Sequence, residues 1–276
     1  MSSANVINIK RITVPDLMGR KGSKTPIVGI AAYSASMAKI VDEHVDFILV
    51  GDSLGMVVYG LPTTLSVSID MMINHGAAVV RGSRRACVVV DLPFGSYQKS
   101  PEQAFKTATR ILQTTGCAAV KIEGGIIMAE TVSFLVERGI PVMGHIGMTP
   151  QSVNTLGGYG AQGRTQEAAD RLLLDAQAVS EAGAFSVVIE SVVVKTARDI
   201  SKQIGVPTIG IGASVDCDGQ VLVADDLLGI FDEFKPRFVK QYANLREEIA
   251  HAVGQYAEDV RSHQFPGPEH LYNGKK

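Results

Sequence analysis

Short runs of apolar residues recur along the chain, and most of them are continuous, with no polar residue at alternate positions. A strand that is buried on both faces reads as such a Val/Ile-rich run, which is typical of a parallel sheet. The runs are PIVGIAAY from Pro26, FILVG from Phe47, CVVVDL from Cys87, AVKIEG from Ala119, IPVMGHIG from Ile140, SVVIE from Ser186, PTIGIG from Pro207 and FVKQY from Phe238. The pattern therefore predicts a parallel sheet with a strand at each of these places.

Stretches with helical spacing separate most of these runs. SPEQAFKTATRILQTT begins at Ser100 with an N-cap residue, a first-turn proline and an acid. TQEAADRLLLDAQAVSEAG begins at Thr165 and reaches a C′ glycine at Gly183, and VVVKTARDISKQIG begins at Val192. Strand and helix alternating in this way over 276 residues predict an α/β fold, a single-domain (β/α)₈ TIM barrel over residues 1–276. It would carry a short N-terminal extension and a polar tail over about 263–276. A doubly wound sheet is the alternative that periodicity leaves open.

Composition narrows the class of protein. Hydrophobic residues make up 46% of the chain and charged residues 20%, which excludes a disordered polypeptide. The net charge of −2 provides no basic stripe, so nucleic acid is not an expected partner. No apolar run approaches the ~20 residues that span a bilayer, so no membrane association is expected. The cysteines (Cys87, Cys117 and Cys217) lie far apart, and the first residues show no targeting pattern. We therefore expect a reduced, cytoplasmic protein.

Several apolar runs end in a charged or polar residue. In a parallel barrel all strand carboxyl ends lie on one face, where active sites form, so residues distant in sequence converge there. Taken singly, each of these terminal residues can be explained structurally, as a turn former, a helix cap, a member of a buried ion pair or a core histidine. The residues at these ends are Asp52 and Ser53, Asp91, Lys121 and Glu123, His145, and Glu190. Their convergence at one barrel mouth is the main functional inference from the pattern.

Several carboxylates beside a single lysine repel one another unless a cation is present. Oxygen ligands favour a hard ion, Mg²⁺ before Mn²⁺. No H-E-x-x-H or cysteine cluster indicates zinc, no P-loop is present, and Gly210–Val215 lacks the third glycine of a dinucleotide fingerprint. The glycine-rich segment 156–163 is either a surface loop or a lid that excludes water. These patterns favour a magnesium site in a pocket.

The segments around these residues resemble the ketopantoate hydroxymethyltransferase family. The resemblance covers the chain from about Lys10 to the FPGPEH tail. It is carried by VGDSLGMVVYG, VVVDLPFGSYQKSPEQA, AVKIEGG, PVMGHIGMTPQSVNTLGGYGAQGR, IGIGASVDCDGQVLV and KPRFVKQYANL. It implies a barrel of the phosphoenolpyruvate/pyruvate type and one Mg²⁺ per subunit. The implied reaction transfers a hydroxymethyl group from 5,10-methylenetetrahydrofolate to 3-methyl-2-oxobutanoate, giving 2-dehydropantoate, the first step of pantothenate biosynthesis. A homo-oligomer, a decamer, is implied as well.

The same resemblance implies roles for individual residues. The metal ligands fall on Asp52 and Asp91, with Glu123 in or next to the coordination shell. The oxo acid is contacted by Asp52, Ser53, Asp91 and Lys121, with His145 in the same pocket, and Glu190 is the proton acceptor. Two other readings stay open: a class I aldolase-like enzyme with a Schiff base on Lys121, and a non-catalytic binding or scaffold barrel.

Overall fold

The computed structural model describes residues 10–231 and 236–272 and contains a closed barrel of eight parallel strands. Strand β1 pairs with β2 on one side and with β8 on the other, which closes the sheet. The strands are β1 (Ile27–Ala31), β2 (Phe47–Val50), β3 (Cys87–Asp91), β4 (Ala119–Glu123), β5 (Val142–Gly147), β6 (Ser186–Glu190), β7 (Thr208–Ile211) and β8 (Gly219–Val223). The predicted (β/α)₈ barrel is confirmed, and the doubly wound alternative is wrong.

The strand predicted at FVKQY from Phe238 is wrong. The strand that closes the barrel is β8, which pairs with β1 from Ile27 opposite Gly219 to Ala31 opposite Val223. It reads GQVLV, in which Gly219 and an exposed Gln220 precede an apolar run of only three residues. Phe238 lies in a turn instead, in which the Val239 N–H donates to the Pro236 carbonyl.

Helices follow most strands and carry the predicted end signals. The hydroxyl of Ser100 accepts from the Gln103 N–H at the start of one, and Gly116 ends it at φ 74°. Thr165 caps another, and Gly183 follows its end at φ 96°. The helices are α1 (Val14–Met18), α2 (Ala35–Val41), α3 (Leu54–Val57), α4 (Ile69–Gly82), α5 (Pro101–Thr115), α6 (Ala129–Glu137), α7 (Val153–Leu156), α8 (Gln166–Glu181), α9 (Val194–Gln203), α10 (Ala224–Leu228) and α11 (Leu245–Arg261).

The barrel interior is filled by side chains. The ring of Phe47 is fully buried and lies against Gly29, its register partner on β1. A Cβ at Gly29 would lie 2.2 Å from that ring, so only glycine leaves room for it. The interior is thus a packed core, and it leaves the carboxyl ends of the strands for polar chemistry.

The chain divides into two compact units, 1–224 and 225–276. The first holds the barrel. The second holds α11 and a short 3₁₀ turn at Pro268–His270, which lies in the predicted polar tail. In this unit the ring centroids of Tyr256 and Phe265 lie 5.5 Å apart. Among the residues described, no helix has the length and apolar character needed to cross a membrane.

One buried carboxylate secures the connection between α4 and β3. Oδ1 of Asp42 accepts from the Ser83 hydroxyl at 2.6 Å and from the Ala86 N–H at 2.8 Å. Oδ2 accepts from the N–H groups of Arg84 and Arg85, each at 2.8 Å. We expect Asp42→Ala to lower the free energy of unfolding by about 3 kcal/mol, because it leaves several donors unpaired in a buried connection. Urea denaturation at neutral pH measures this loss.

Glu43→Ala is the matched control, because Glu43 is adjacent and exposed. It should change the free energy of unfolding by no more than about 0.5 kcal/mol. Burial raises the pKa of Asp42, but the hydrogen bonds outweigh it and hold that pKa below the ordinary 3.8. The contribution of ionised Asp42 to the free energy of unfolding is therefore fully present above the pKa of this group in the unfolded chain. It is lost as the pH falls through the lower pKa of the folded protein. Equal stabilities of the two variants would contradict this role.

Candidate active site

The carboxyl ends of the strands bring charged side chains to one mouth of the barrel. Residues that pair in register on parallel strands point to the same side of the sheet. The pairs at this mouth are Asp91 with Lys121, Glu123 with His145, and Gly147 with Glu190. The closed, in-register barrel therefore gathers residues that lie far apart in the sequence.

Asp91 and Lys121 form a buried ion pair. Nζ of Lys121 lies 3.1 Å from Oδ1 of Asp91, and both side chains are almost fully buried. Burial lowers the pKa of the Lys121 ammonium, but the charges of Asp91, Glu123 and Asp52 outweigh it and hold that pKa above its ordinary value. Because Schiff-base formation requires a neutral amine, this environment disfavours the class I aldolase reading.

Asp52 lies beside this pair, just after β2. Its N–H donates to Oδ2 of Asp91 at 3.1 Å, and its side chain is buried. Burial, followed by the negative charges of Asp91 and Glu123, raises the pKa of Asp52 to about 8. The carboxyl of Asp52 therefore lacks a sufficient positive counter-charge.

Ser53 follows Asp52 at the same mouth. Its hydroxyl lies 2.8 Å from the hydroxyl of the buried Tyr33. A Cβ at Gly51 would lie 2.9 Å from Oγ of Ser53 and 3.5 Å from Oδ2 of Asp91. Gly51 thus lets the Ser53 hydroxyl and the Asp91 carboxylate lie close to the same point of the backbone.

Glu123, His145 and Glu190 form a chain of contacts. Nδ1 of His145 lies 3.5 Å from Oε1 of Glu123 and 3.2 Å from Nζ of Lys121. Nε2 lies 3.2 Å from Oε2 of Glu190. Burial and the Lys121 charge lower the pKa of His145, but Glu123 and Glu190 outweigh them and raise it to about 9. The Glu190 side chain is 19% exposed against 3% for Glu123, so Glu190 has the greater access to a bound molecule.

Gly147 permits the close approach of β5 and β6 that places Glu190. The N–H of Met148 donates to the Glu190 carbonyl at 2.8 Å. A Cβ at Gly147 would lie 2.4 Å from that carbonyl oxygen, and the residue has φ 94°. Both the space and the backbone conformation therefore require glycine here.

Two residues that the sequence analysis did not predict, Tyr97 and Gln151, lie among the carboxylates. The Gln151 amide donates to Oδ2 of Asp52 at 2.8 Å, and its N–H donates to Oε2 of Glu123 at 2.9 Å. The Tyr97 hydroxyl donates to Oε1 of Gln151 at 2.8 Å. The sequence signals for them are Pro150, which stands at the first position of the turn after β5, and the segments carrying the family resemblance, which contain both residues.

The glycine-rich loop after α7 reaches toward this cluster. Gly157, Gly158 and Gly163 have positive φ angles, and the Gln162 N–H donates to the Ser191 carbonyl at 2.7 Å, directly after Glu190. Burial and the charges of Asp52, Glu190 and Glu123 raise the pKa of Tyr159 above its ordinary value. The loop therefore lies within the electrostatic field of the cluster, although Tyr159 itself is 46% exposed.

The donor set fits a hard divalent cation held by few protein ligands. In the part of the chain that the structure describes, no group of three or more His, Cys, Asp or Glu side chains is arranged to hold a metal ion. Mg²⁺ characteristically binds one or two carboxylates and completes its shell with water and substrate. Asp52 and Asp91 match that pattern, and a cation beside Asp52 would counter the charges that raise its pKa. Oε1 of Glu123, buried without a hydrogen-bond partner, is a further oxygen for the shell.

All the predicted site residues lie at the barrel mouth on β2 to β6 or directly after these strands. The structure joins Asp91 to Lys121, Asp52 to Asp91, and Glu123 through His145 to Glu190. Ser53 lies next to Asp52 and contacts Tyr33. Their individual roles stay predictions.

This fold and site define an α/β barrel with a carboxylate–lysine cluster at its carboxyl mouth. Among solved structures, the phosphoenolpyruvate phosphomutase from Streptomyces platensis subsp. rosaceus matches with a TM-score of 0.59 at 12% identity, over 91% of this chain and 88% of that one. The 2,3-dimethylmalate lyase of the PEP mutase/isocitrate lyase superfamily matches with a TM-score of 0.58 at 15% identity, over 94% and 88%. At this level of identity the likenesses show the fold alone, an α/β barrel.

Closer relatives identify the family. The model of the family described as ketopantoate hydroxymethyltransferase matches residues 11–268. A protein of Paracoccus denitrificans is 59% identical over 95% of this chain and 94% of its own length. One of Paramagnetospirillum magneticum is 58% identical over 98% of each chain. Both are named 3-methyl-2-oxobutanoate hydroxymethyltransferase. The chain belongs to the ketopantoate hydroxymethyltransferase family, a family of transferases.

Proposed function

We propose that this enzyme transfers a hydroxymethyl group from 5,10-methylenetetrahydrofolate to 3-methyl-2-oxobutanoate and forms 2-dehydropantoate, the first step of pantothenate biosynthesis. The observation that carries the proposal is the cluster of Asp52, Asp91, Lys121 and Glu190 at the barrel mouth of a chain that belongs to this family. Assembly as a homo-oligomer, a decamer, and a location in the cytoplasm remain predictions.

Binding of the oxo acid is assigned to the charged side of the mouth. Asp52 and Asp91 would hold Mg²⁺, with Glu123 in or next to its shell. When bound, the ion acts as a Lewis acid that polarises the keto group. Lys121 and Ser53 offer an ammonium and a hydroxyl to the substrate carboxylate. The Lys121 charge, fixed by Asp91 at 3.1 Å, also stabilises negative charge that develops on the substrate oxygens.

Proton removal is assigned to Glu190. Its carboxylate accepts the C3 proton of the oxo acid, and the electron pair of the broken C–H bond moves toward the keto oxygen. His145, 3.2 Å from Glu190, orients this carboxylate. One water hydrolyses the methylene group of the folate: its oxygen bonds to the methylene carbon, both carbon–nitrogen bonds break, and the two nitrogens take up the protons of the water. The C3 carbon bonds to this carbon, and the proton held by Glu190 passes to the new alkoxide, so the products are 2-dehydropantoate and tetrahydrofolate.

The glycine-rich loop suits the exclusion of bulk water during this transfer. Tyr159 lies 4.0 Å, through its hydroxyl, from Sδ of Met56 on α3, so the loop reaches across from β5 to the segment after β2. Bulk water at the mouth would return a proton to the C3 carbanion before the transfer and would weaken the electrostatic contacts. We assign the loop this covering role.

Proton NMR of 3-methyl-2-oxobutanoate in D₂O tests the proposal. With enzyme and Mg²⁺ we expect the C3 proton signal to disappear, and EDTA to stop the loss, because the exchange needs both the base and the metal. Adding 5,10-methylenetetrahydrofolate should then yield 2-dehydropantoate.

The control is the same solution without enzyme, in which exchange should be far slower. If neither exchange nor product appears with all components present, the enzymatic proposal fails and the non-catalytic barrel reading takes its place. Exchange that persists unchanged in EDTA would contradict the magnesium assignment while leaving the base in place.

A further inference from the structure

A buried amide, Gln151, connects the carboxylates of the site to the loop after β3. The side chain is only 6% exposed. Its Nε2 donates to Oδ2 of Asp52 at 2.8 Å and to the Leu92 carbonyl at 2.9 Å. Its Oε1 accepts from the Tyr97 hydroxyl at 2.8 Å and from Nε2 of Gln98 at 3.0 Å. Both donors of the amide and both lone pairs of its oxygen are therefore used.

The pattern of partners fixes the orientation of this amide. The Tyr97 hydroxyl accepts from the Glu123 N–H at 3.1 Å, and its proton has Oε1 of Gln151 at 2.8 Å as the nearer acceptor, against 3.2 Å for the Glu123 carbonyl. A flipped amide would place its oxygen against the oxygens of Asp52 and Leu92, and its NH₂ group against the donors of Tyr97 and Gln98. The NH₂ group is therefore held toward Asp52.

The backbone of the same residue holds a second carboxylate. Gln151 is the second residue of the 3₁₀ turn Pro150–Ser152, where an N–H has no acceptor within the turn. That N–H donates to Oε2 of Glu123 at 2.9 Å. Because this contact does not involve the side chain, a side-chain substitution separates the effect on Asp52 from the effect on Glu123.

We propose that Gln151 is a positioning residue that holds the Asp52 carboxylate in the orientation required for Mg²⁺ binding. This inference rests on the proposed function. A carboxylate on a mobile side chain would lose conformational freedom on binding the ion, whereas Asp52 is already held by the amide. Tyr97 acts one step further out, through the amide orientation.

The test is Gln151→Met, which keeps the volume and removes both amide donors. We expect about 10-fold weaker Mg²⁺ binding by isothermal titration calorimetry, without oxo acid or folate present. We also expect a changed Mn²⁺ EPR line shape, because the ligand geometry becomes less uniform. A merely structural role would lower the melting temperature and leave the metal affinity of the folded protein unchanged.

Gln103→Met is the matched control. Gln103 accepts from the Lys99 N–H and donates to the Gly95 carbonyl, so it orders the same segment without touching a carboxylate. It should bind Mg²⁺ as the wild type does. Tyr97→Phe is the second variant, with a smaller expected loss of affinity, and it decides the matter if Gln151→Met does not fold.

The possible outcomes distinguish failure of the positioning role from failure of the proposed function. Unchanged Mg²⁺ affinity in folded Gln151→Met, or in Tyr97→Phe when the first variant is unfolded, overturns the positioning role alone. A wild-type protein that binds Mg²⁺ but turns over no oxo acid overturns the proposed function, and the loss of affinity in Gln151→Met would still support the positioning role. A wild-type protein that binds no Mg²⁺ overturns both the magnesium assignment and this inference.

Discussion

Glu190→Gln should abolish exchange of the C3 proton and lower kcat by about 10³-fold, within the range that general-base catalysis contributes. Glutamine has the same shape but does not take up the proton. Its carbonyl oxygen can still lie against Nε2 of His145, now 3.2 Å from Oε2 of Glu190. The affinities for Mg²⁺ and the oxo acid should therefore change by less than about threefold. NMR exchange in D₂O measures the first effect, and calorimetric titration the second.

The control for this variant is Glu181→Gln. Glu181 is the last residue of α8 and is exposed, so its substitution removes one negative charge far from the mouth. It should exchange the C3 proton at the wild-type rate. Normal exchange in Glu190→Gln would show that Glu190 is not the base. His145, which contacts Glu190, would then be the next candidate for that role.

The carboxyl groups of the mouth differ in access, and this difference suggests a division of labour. Asp52 and Asp91 are almost fully buried, and Asp91 contacts both the Asp52 N–H and Lys121, an environment that suits a bound cation. Glu190 is more exposed and contacts His145 at the edge of the cluster. A base must reach a proton on the substrate, whereas a metal ligand must be held in place. The geometry gives each group the environment that its proposed task requires.

The convergence of the site residues could be predicted from the sequence because a parallel barrel has a strict rule of placement. Asp91, Lys121, His145 and Glu190 each end a run of apolar residues, and all carboxyl ends of the strands share one face. The hydrophobic pattern does not specify the register in which neighbouring strands pair. That Glu123 lies opposite His145 and Asp91 opposite Lys121 is fixed only when neighbouring strands pair.

The prediction of β8 failed for a related reason. Its Gly219 and exposed Gln220 leave an apolar run of only three residues within the strand, which did not distinguish it from other short apolar segments. The segment predicted at Phe238 contains Lys240 and Gln241 and is no more apolar than GQVLV, so apolar pattern did not separate the two, and it lies in the second unit. Closure of the barrel is a tertiary requirement that overrides local pattern.

Gln151 and Tyr97 could not be predicted from their residue types. An uncharged glutamine in a turn and a tyrosine before a helix are ordinary surface residues by pattern alone. Their importance arises from burial among carboxylates, which only the packing of the loops after β3 and β5 creates. Polar networks of this kind are set by three-dimensional contacts between loops, and loops carry the weakest periodic signal.

Asp52→Asn should make the metal-free protein more stable while it lowers activity by about 10²-fold or more. Burial and the neighbouring carboxylates raise the pKa of Asp52 in the folded protein to about 8, from an ordinary value of 3.8. The stability associated with the protonated group is therefore fully present below about pH 4 and is lost as the pH rises to about 8. The loss is at most about 1.4 kcal/mol per pH unit. Asparagine stays neutral and still accepts from Gln151. Its stability advantage over the wild type should therefore grow between about pH 5 and about pH 8, as urea denaturation in EDTA measures.

Saturating Mg²⁺ should make the wild type more stable than Asp52→Asn, the reverse of the order in EDTA. The ion binds the ionised carboxylate, so it stabilises the wild type most at high pH and stabilises Asp52→Asn little. Asp170→Asn, at an exposed position of α8, is the control and should follow the wild type in EDTA and in Mg²⁺. If the advantage of Asp52→Asn did not depend on pH, the raised pKa of Asp52 would be wrong. If Mg²⁺ stabilised Asp52→Asn as much as the wild type, Asp52 would not be a metal ligand. The same buried carboxylate thus destabilises the empty barrel and prepares it for a cation.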